Sequence, residues 1–280
     1  MKSLKTRIVD YVKTVATVAA GKKVAARRLT VFPDDVFIVS YPKSGNTWTR
    51  FLIGNLVYED GVSFANIEYR IPSIYMHPDR VLRRLPRLLK SHECFDPRYR
   101  RVIYIVRDPR DVAVSCYHYY QKMRWLGDCP LDDFVPRFMK PEFEINYGNW
   151  ADHLKSWVCL RQSSEDFLLL RYEEMLEHPQ AELARVAAFL KIAATPERLN
   201  RAVALSSADR MRELEKKEGH AWQLIKESRQ DKPFVRAARS GGWREALSPE
   251  SVARIEAAWG PAMRMAGYEL FSAASVTSDS

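Results

Sequence analysis

A short loop with one lysine and one glycine, set between an apolar run and a helix-like stretch, constrains this fold most. The apolar run covers residues 36–42, and the helix-like stretch covers residues 47–58. Strand, loop and helix in this order point the first backbone N–H groups and the positive end of the helix dipole at the loop. Lys43 adds a mobile charge, Ser44 and Thr47 add hydroxyl donors, and Trp48 adds a flat apolar surface. The pattern therefore predicts a site for a phosphate or sulfate ester.

The loop differs from the phosphate loop of ATP and GTP enzymes. That motif has two glycines five residues apart, and the second glycine is followed directly by Lys-Ser/Thr. Here Lys43 precedes the single glycine, Gly45. An ordinary strand-to-helix turn with a surface lysine is the alternative interpretation of the same residues.

Four short apolar bursts predict the strands of a buried parallel sheet, at 36–40, 88–90, 102–106 and 167–170. Helical patterns occupy residues 47–58, 109–121, 149–161, 181–190 and 249–265. This alternation predicts a single α/β domain with a central parallel sheet flanked by helices, and a ligand site at the carboxyl ends of the strands. Lys43, Lys90 and Arg107 each lie at the end of a different burst, so we expect them to converge there.

Composition limits the classes of partner. The chain has 280 residues, with 44 Lys and Arg against 35 Asp and Glu, a net charge of +9. This excess fits nucleic acid, an anionic membrane surface or an anionic small ligand, and no basic run is long enough to favour nucleic acid. The four cysteines form no CxxC pair, so they predict reduced thiols in a cytoplasmic protein rather than a zinc site.

The sequence divides into three parts. Residues 1–30 form a basic helical segment, packed on the domain or touching a membrane surface. Residues 31–272 form the domain, and residues 273–280 form a small polar tail that we expect to be disordered. The sequence has no run of eighteen apolar residues, so no transmembrane helix is predicted. Residues 212–239 are polar and charged, which predicts a long mobile excursion or lid.

Residues 41–48, Tyr-Pro-Lys-Ser-Gly-Asn-Thr-Trp, resemble the 5′-phosphosulfate loop of the soluble sulfotransferases. Those enzymes use 3′-phosphoadenosine 5′-phosphosulfate (PAPS), and their domain has a P-loop-like topology. The resemblance implies that the cofactor is bound by Lys43, Ser44, Gly45, Asn46, Thr47 and Trp48. It runs from about residue 36 to residue 244.

A second segment, residues 107–115, is similar to the 3′-phosphate segment of the same family. It implies that Arg107 and Ser115 bind the 3′-phosphate of PAPS. A planar guanidinium and a hydroxyl suit that role, although an Arg–Asp surface network is equally common for such a segment. Tyr172 and Ser206 match residues that lie near the adenine. Two positions after this serine the family usually has an aromatic residue, and Ala208 stands there in this sequence. Adenine stacking is then left to Trp48.

The closing motif of the family is matched only in part, over residues 236–244. Its residues Arg236, Gly241, Trp243 and Arg244 are present, and Arg236 is implied to bind the 3′-phosphate. Ala237 and Ala238 replace its Lys-Gly pair, and Gly242 replaces its aspartate. Arg239 is a candidate to compensate for the absent lysine.

The catalytic candidates are Lys90 and His92. Two residues apart in an extended chain, they project to the same side, and a histidine accepts a proton near neutral pH. Lys-x-His also matches the catalytic segment of the family. The resemblance implies that His92 is the general base, that Lys43 neutralises the leaving nucleotide, that Lys90 steadies the sulfonate and that no metal is needed. His118 is a weaker candidate for lining the acceptor pocket.

The sequence thus predicts a sulfotransferase that acts on a hydroxyl or amine of a small-molecule, lipid or carbohydrate acceptor. Two alternatives stay open, an ATP-dependent kinase of related topology and a catalytically idle protein that binds nucleotide or a membrane surface. Ser248 and Pro249 occupy the Thr-Val positions of a segment through which many animal members dimerise. The oligomeric state is therefore not predicted.

Overall fold

The computed structural model describes residues 25–82, 87–140, 142, 146–236 and 238–271. Residues 1–24, which make up most of the predicted N-terminal segment, lie outside the described residues. The predicted tail at 273–280 and Ala237 of the closing motif lie outside them as well. Within the described ranges, no helix combines the length and apolar character needed to cross a membrane.

Four parallel strands form the sheet at the centre of the domain, in the order β2-β1-β3-β4. The strands are β1 (Val36–Ser40), β2 (Leu88–Ser91), β3 (Arg101–Val106) and β4 (Phe167–Arg171). All four predicted strands and the α/β class are confirmed. Every residue of β1 is buried, because apolar clusters cover both faces of the sheet.

The register of the sheet decides which residues meet at its carboxyl edge. Val39 of β1 pairs with Ser91 of β2 on one side and with Tyr104 of β3 on the other. Neighbouring strands lie about 4.8 Å apart. The residues that follow these strands, among them His92 and Arg107, therefore begin within a few ångströms of the loop that follows β1.

Helices flank the sheet: α1 (Asn46–Val57), α2 (Ile67–Arg70), α3 (Pro109–Lys122), α4 (Leu131–Met139), α5 (Trp150–Arg161), α6 (Tyr172–Glu177), α7 (Pro179–Leu190), α8 (Pro196–Leu205), α9 (Ala208–Glu218), α10 (Trp243–Ala246) and α11 (Pro249–Met265). The five predicted helices are confirmed to within two residues at each end. Helix α3 begins as its sequence requires, since the Asp108 carboxylate accepts the Arg110 N–H at 2.9 Å and Pro109 occupies the first turn.

Residues 212–239 are predicted to be a polar excursion with few core residues, and the structure differs from that prediction. Part of this segment belongs to α9, and the turn after α9 buries Trp222 and Ile225, each 2% exposed. They pack with Phe51 and Phe64 in a third apolar cluster. The few apolar residues of the segment are far apart in a charged sequence, so their common burial is created by the fold and not by a local pattern.

Candidate active site

The loop between β1 and α1 adopts a backbone that few residues tolerate. Lys43 has φ +67° and Gly45 has φ +99°, both on the left-handed side. A Cβ on Gly45 would lie 2.5 Å from Cδ2 of Tyr172. Glycine is required here for its conformation and because the loop runs in contact with the Tyr172 ring.

Two buried side chains of this loop serve different purposes. Ser44 is fully buried, and its Oγ has no hydrogen-bond partner among the described residues. Such a hydroxyl costs about 1–3 kcal/mol, so a ligand oxygen that bonds to it relieves this cost. Asn46 Nδ2 instead donates to the Ile38 carbonyl and to Ser40 Oγ, both at 3.2 Å, and fastens the loop to β1. Its Oδ1 also lacks a partner among the described residues.

Aromatic rings orient the amine of Lys43. Its Nζ lies 4.2 Å from the ring centroid of Tyr119 and 4.6 Å from that of Phe234. Rings at this distance attract a cation through their negative faces. Thr47, in the first turn of α1, lines the same cavity as Lys43.

Trp48 and Tyr172 form the aromatic part of the site. Their rings meet edge to face, with centroids 5.5 Å apart and planes at 74°. Trp48 Nε1 donates to the Ser206 carbonyl at 2.9 Å. The buried Ser206 hydroxyl accepts from Asn55 Nδ2 at 2.9 Å and donates to the Ala202 carbonyl at 2.8 Å. Ser206 therefore supports Trp48 through its backbone, while its hydroxyl is bonded within the protein.

Arg107 joins two loops that are far apart in sequence. Its guanidinium donates to the Lys43 carbonyl at 3.4 Å and to the Arg239 carbonyl at 3.1 Å. The guanidinium also lies 4.3 Å from the ring centroid of Tyr172. Arg107 Nε is buried and has no partner among the described residues. Ser115 of α3 lines the same cavity.

Asp111 holds the closing motif against α3. Its carboxylate accepts the Gly241 N–H at 2.7 Å and the Trp243 N–H at 3.0 Å. Burial raises the pKa of Asp111 above its ordinary value. Sequence reasoning did not assign this role to Asp111, because its partners lie about 130 residues away.

Positive charge is concentrated in the wall formed by the closing motif. Burial, and then the charges of Arg107 and Arg239, lower the pKa of Arg236. Arg239 itself pairs with Glu245 at 2.6 Å on the exposed side. Like charges held this close repel each other, and a bound anion removes that repulsion.

His92 is held in the tautomer that a general base requires. Its Nδ1 lies 2.7 Å from the Ser40 carbonyl, which only accepts, so Nδ1 carries the hydrogen and Nε2 keeps a free lone pair. Burial, and then the charge of Lys90, lower the pKa of His92 well below its ordinary 6.5. The imidazole is therefore neutral at neutral pH and lines the cavity together with Lys90.

Two residues that sequence reasoning did not single out as supports, Tyr75 and His153, fix the backbone of His92, and Tyr104 fixes His153. His153 Nε2 donates to the His92 carbonyl at 3.1 Å, and His153 Nδ1 accepts from the Tyr104 hydroxyl at 2.8 Å. The His92 N–H donates to Tyr75 Oη at 2.8 Å. Burial lowers the pKa of His153 to about 4. His153 lies four residues before Trp157 on the buried face of α5, so the sequence pattern indicates a core position for it and no support of a catalytic residue.

One cavity of about 920 Å³ contains these groups. It brings together twelve of the thirteen predicted site residues, whereas the thirteenth, Ser44, is buried beneath the loop. Beyond His92 the wall is mainly aromatic and is formed by Tyr75, Tyr119, Trp125, Tyr147 and Phe234. His118 also lines it, and burial together with Arg236 and Lys232 lowers the pKa of His118 to about 4.

Known sequences resemble this chain over most of its length. The sulfotransferase domain family model matches residues 33–267. Human sulfotransferase 2B1 is 34% identical over 196 residues, which are 64% of this chain and 52% of that protein. Rat sulfotransferase 1A1 is 29% identical over 258 residues, 85% of this chain and 87% of the relative. The match thus spans about half the length of sulfotransferase 2B1.

Solved structures share the same fold. Mouse sulfotransferase SULT7A1 complexed with PAP has a TM-score of 0.68 and 25% identity, covering 86% of this chain and 88% of that one. Retinol dehydratase in complex with androsterone and the inactive cofactor PAP has a TM-score of 0.73 and 20% identity, covering 85% and 83%. At 20% identity the second likeness concerns the fold alone.

Proposed function

This chain belongs to the sulfotransferase family, and from that membership we propose that it transfers the sulfuryl group of PAPS to a hydroxyl of a small-molecule acceptor. One observation carries the proposal. A neutral histidine with a free Nε2, His92, lies beside a loop whose buried hydroxyl, Ser44 Oγ, has no partner among the described residues. This arrangement supports a base for the acceptor and a cradle for the donor at adjacent strand ends.

The nucleotide half of the site is assigned from contacts and charge. The N–H groups of the β1–α1 loop would bind the phosphosulfate, and the Ser44 hydroxyl, which does not line the cavity, would have to turn towards it to contribute. Arg107, Ser115 and Arg236 would bind the 3′-phosphate, since two guanidinium groups and a hydroxyl face one cavity. Trp48 would stack on the adenine, held by its bond to the Ser206 carbonyl.

The transfer step needs one base and two positive charges. His92 Nε2 takes the proton of the acceptor hydroxyl while the acceptor oxygen bonds to sulfur. The bond from sulfur to the 5′-phosphate oxygen breaks with its electron pair, giving a sulfate ester and PAP, 3′-phosphoadenosine 5′-phosphate. Lys43 neutralises the departing oxygen and Lys90 the sulfonate oxygens, so fixed charges stabilise the transition state.

The acceptor wall favours an apolar molecule with a hydroxyl group. Tyr75 and Tyr147 surround the His92 ring, with centroids 6.1 Å and 5.7 Å from it. Trp125 and Phe234 extend the aromatic surface away from the base. We therefore propose a phenol or an alcohol with an apolar skeleton in preference to a carbohydrate.

Calorimetric titration with PAP beside ADP and ATP, followed by transfer from labelled PAPS to a panel of phenols, alcohols and sugars, tests the proposal. Micromolar affinity for PAP, weak affinity for ADP and ATP, and labelled product from a phenol or an apolar alcohol are expected. Binding of ATP alone would indicate a kinase. PAP binding without product from any acceptor would indicate an idle nucleotide-binding protein.

A further inference from the structure

A buried lysine at the end of α3 fastens residues 229–236, called the closing strap below, of which residues 233–236 line the cavity. The Lys122 side chain is 3% exposed. Its Nζ donates to the carbonyls of Arg229 at 2.9 Å and Lys232 at 2.5 Å. The Arg229 N–H donates in return to the Lys122 carbonyl at 3.0 Å. The first half of the strap is thus tied to α3 by three hydrogen bonds.

A glutamate of α9 fastens the second half of the strap. The two carboxylate oxygens of Glu215 accept the N–H groups of Phe234 at 2.6 Å and Val235 at 2.8 Å. Glu215 Oε1 lies 4.0 Å from Lys122 Nζ. Buried charges are expensive unless hydrogen bonds satisfy them. Here backbone groups of the strap satisfy both members of the pair, so the pair and the strap depend on each other.

The strap carries two residues that face the proposed reactants. The Phe234 ring lies 4.6 Å from Lys43 Nζ, and Arg236 lines the cavity on the nucleotide side. Arg212 of α9 donates to the Arg236 carbonyl at 2.7 Å. Movement of the strap would therefore displace the ring beside Lys43 and a cation of the 3′-phosphate site together.

We propose that Lys122 and Glu215 are positioning residues, which set the affinity for the nucleotide by holding Phe234 and Arg236 in place. Both act through the closing strap and not by bonding to the reacting atoms. The role assigned to Arg236 rests on the proposed function, whereas the anchoring of the strap does not. An ion pair that only stabilised the fold would leave the nucleotide affinity of the folded protein unchanged.

The substitutions Glu215→Gln and Lys122→Met test this proposal against matched controls. Glu213→Gln makes the same change two residues away in α9, at an exposed carboxylate paired with Arg210 at 2.9 Å. Lys216→Met removes an exposed lysine of the same helix. Two quantities are measured, the dissociation constant of PAP by calorimetry and the exchange rates of the Phe234 and Val235 amide hydrogens in the free protein.

We expect Glu215→Gln and Lys122→Met to weaken PAP binding by about tenfold and to accelerate exchange of the strap amides. Lys122→Met removes both bonds from its amine to the strap, and the glutamine amide offers one acceptor oxygen for two N–H groups. Lys122→Arg keeps donors for the two carbonyls and should recover much of the affinity. Glu213→Gln and Lys216→Met should resemble the wild type in both measurements.

Unchanged PAP affinity in Glu215→Gln, whatever the exchange rates, would overturn the positioning role. If Lys122→Met does not fold, Glu215→Gln carries the test alone. If the wild type itself does not bind PAP, the proposed function fails and the positioning role for that nucleotide fails with it. The exchange rates in Glu215→Gln and Glu213→Gln then test the anchoring alone, and equal rates at the two amides would refute it.

Discussion

Replacing Gly45 by alanine should damage the nucleotide site through one added methyl group. Two effects act together at this position. A non-glycine residue at φ +99° is strained by about 1–3 kcal/mol. The new Cβ would also lie 2.5 Å and 2.8 Å from two ring atoms of Tyr172, although carbon atoms pack best at about 3.5–4.0 Å.

The Tyr172 ring must therefore move by about 1 Å, or the loop must, since contact begins near 3.5 Å. The Tyr172 ring meets the Trp48 ring edge to face with centroids 5.5 Å apart, and its centroid lies 4.3 Å from the Arg107 guanidinium. Its displacement therefore disturbs two further residues that are proposed to bind the nucleotide. In the free variant the loop relaxes away from this conformation, and PAP binding must restore it, so the strain is added to the binding cost. Together with about 1 kcal/mol for the aromatic contacts, the loss in PAP binding is about 2–4 kcal/mol. That loss is a weakening of about 30- to 1,000-fold.

Calorimetry with PAP and thermal unfolding of Gly45→Ala measure the effect. Gly148→Ala is the matched control, because Gly148 has φ +68° with no atom within 4 Å of an added Cβ. Gly148 shares the positive φ of Gly45 but has no close contact with a side chain. Gly148→Ala should therefore lose stability and keep its affinity for PAP. Gly45→Ala combined with Tyr172→Leu should recover part of the lost affinity. If Gly45→Ala binds PAP within twofold of the wild type, the argument from the loop–ring contact is refuted.

Four further outcomes follow from the site. His92→Ala should keep its affinity for PAP and lose turnover by about 10²–10⁴-fold; normal turnover in a coupled assay would remove the base assignment. Because burial and Lys90 hold the pKa of His92 well below 6.5, kcat/KM should stay level as pH falls through 6.5 and decline only at lower pH. Lys90→Met removes one of these causes, so the acid limb of its pH profile should move to higher pH, and an unmoved limb would contradict the coupling. The pKa of His153 falls from 6.5 to about 4 on burial, so its contribution to stability is complete above pH 6.5 and is lost as pH falls from 6.5 towards 4. The Tm of His153→Gln should fall less than that of the wild type over this range; equal slopes would refute the assignment.

Much of the fold could be predicted from the sequence, because its signals are local. The strands are short apolar runs, and α3 begins with Asp108 and Pro109, so their positions depend on near neighbours. The cluster around Trp222 and Ile225 could not be predicted in this way. Its burial depends on Phe51 and Phe64, which lie more than 150 residues earlier in the chain.

The site could be predicted as a set of residues but less well as a set of roles. Position at the end of a strand placed Lys43, Lys90 and Arg107 at one edge of the sheet. Nothing local showed that the Ser206 hydroxyl is used by Asn55 and Ala202, or that His153 supports the His92 carbonyl. Those roles depend on hydrogen bonds between elements that are distant in sequence.

The reacting groups and the acceptor wall belong to different parts of the architecture. The groups proposed to act beside the transferred sulfur lie at the ends of β1 and β2, whose separation is fixed by backbone pairs such as Val39 with Ser91. The aromatic wall is supplied by loops and helix ends, for example Trp125 after α3 and Tyr147 before α5. Substitutions or insertions in that wall can therefore accumulate over evolution and change the acceptor of the proposed reaction, while the strand ends that hold the proposed reacting groups stay unchanged.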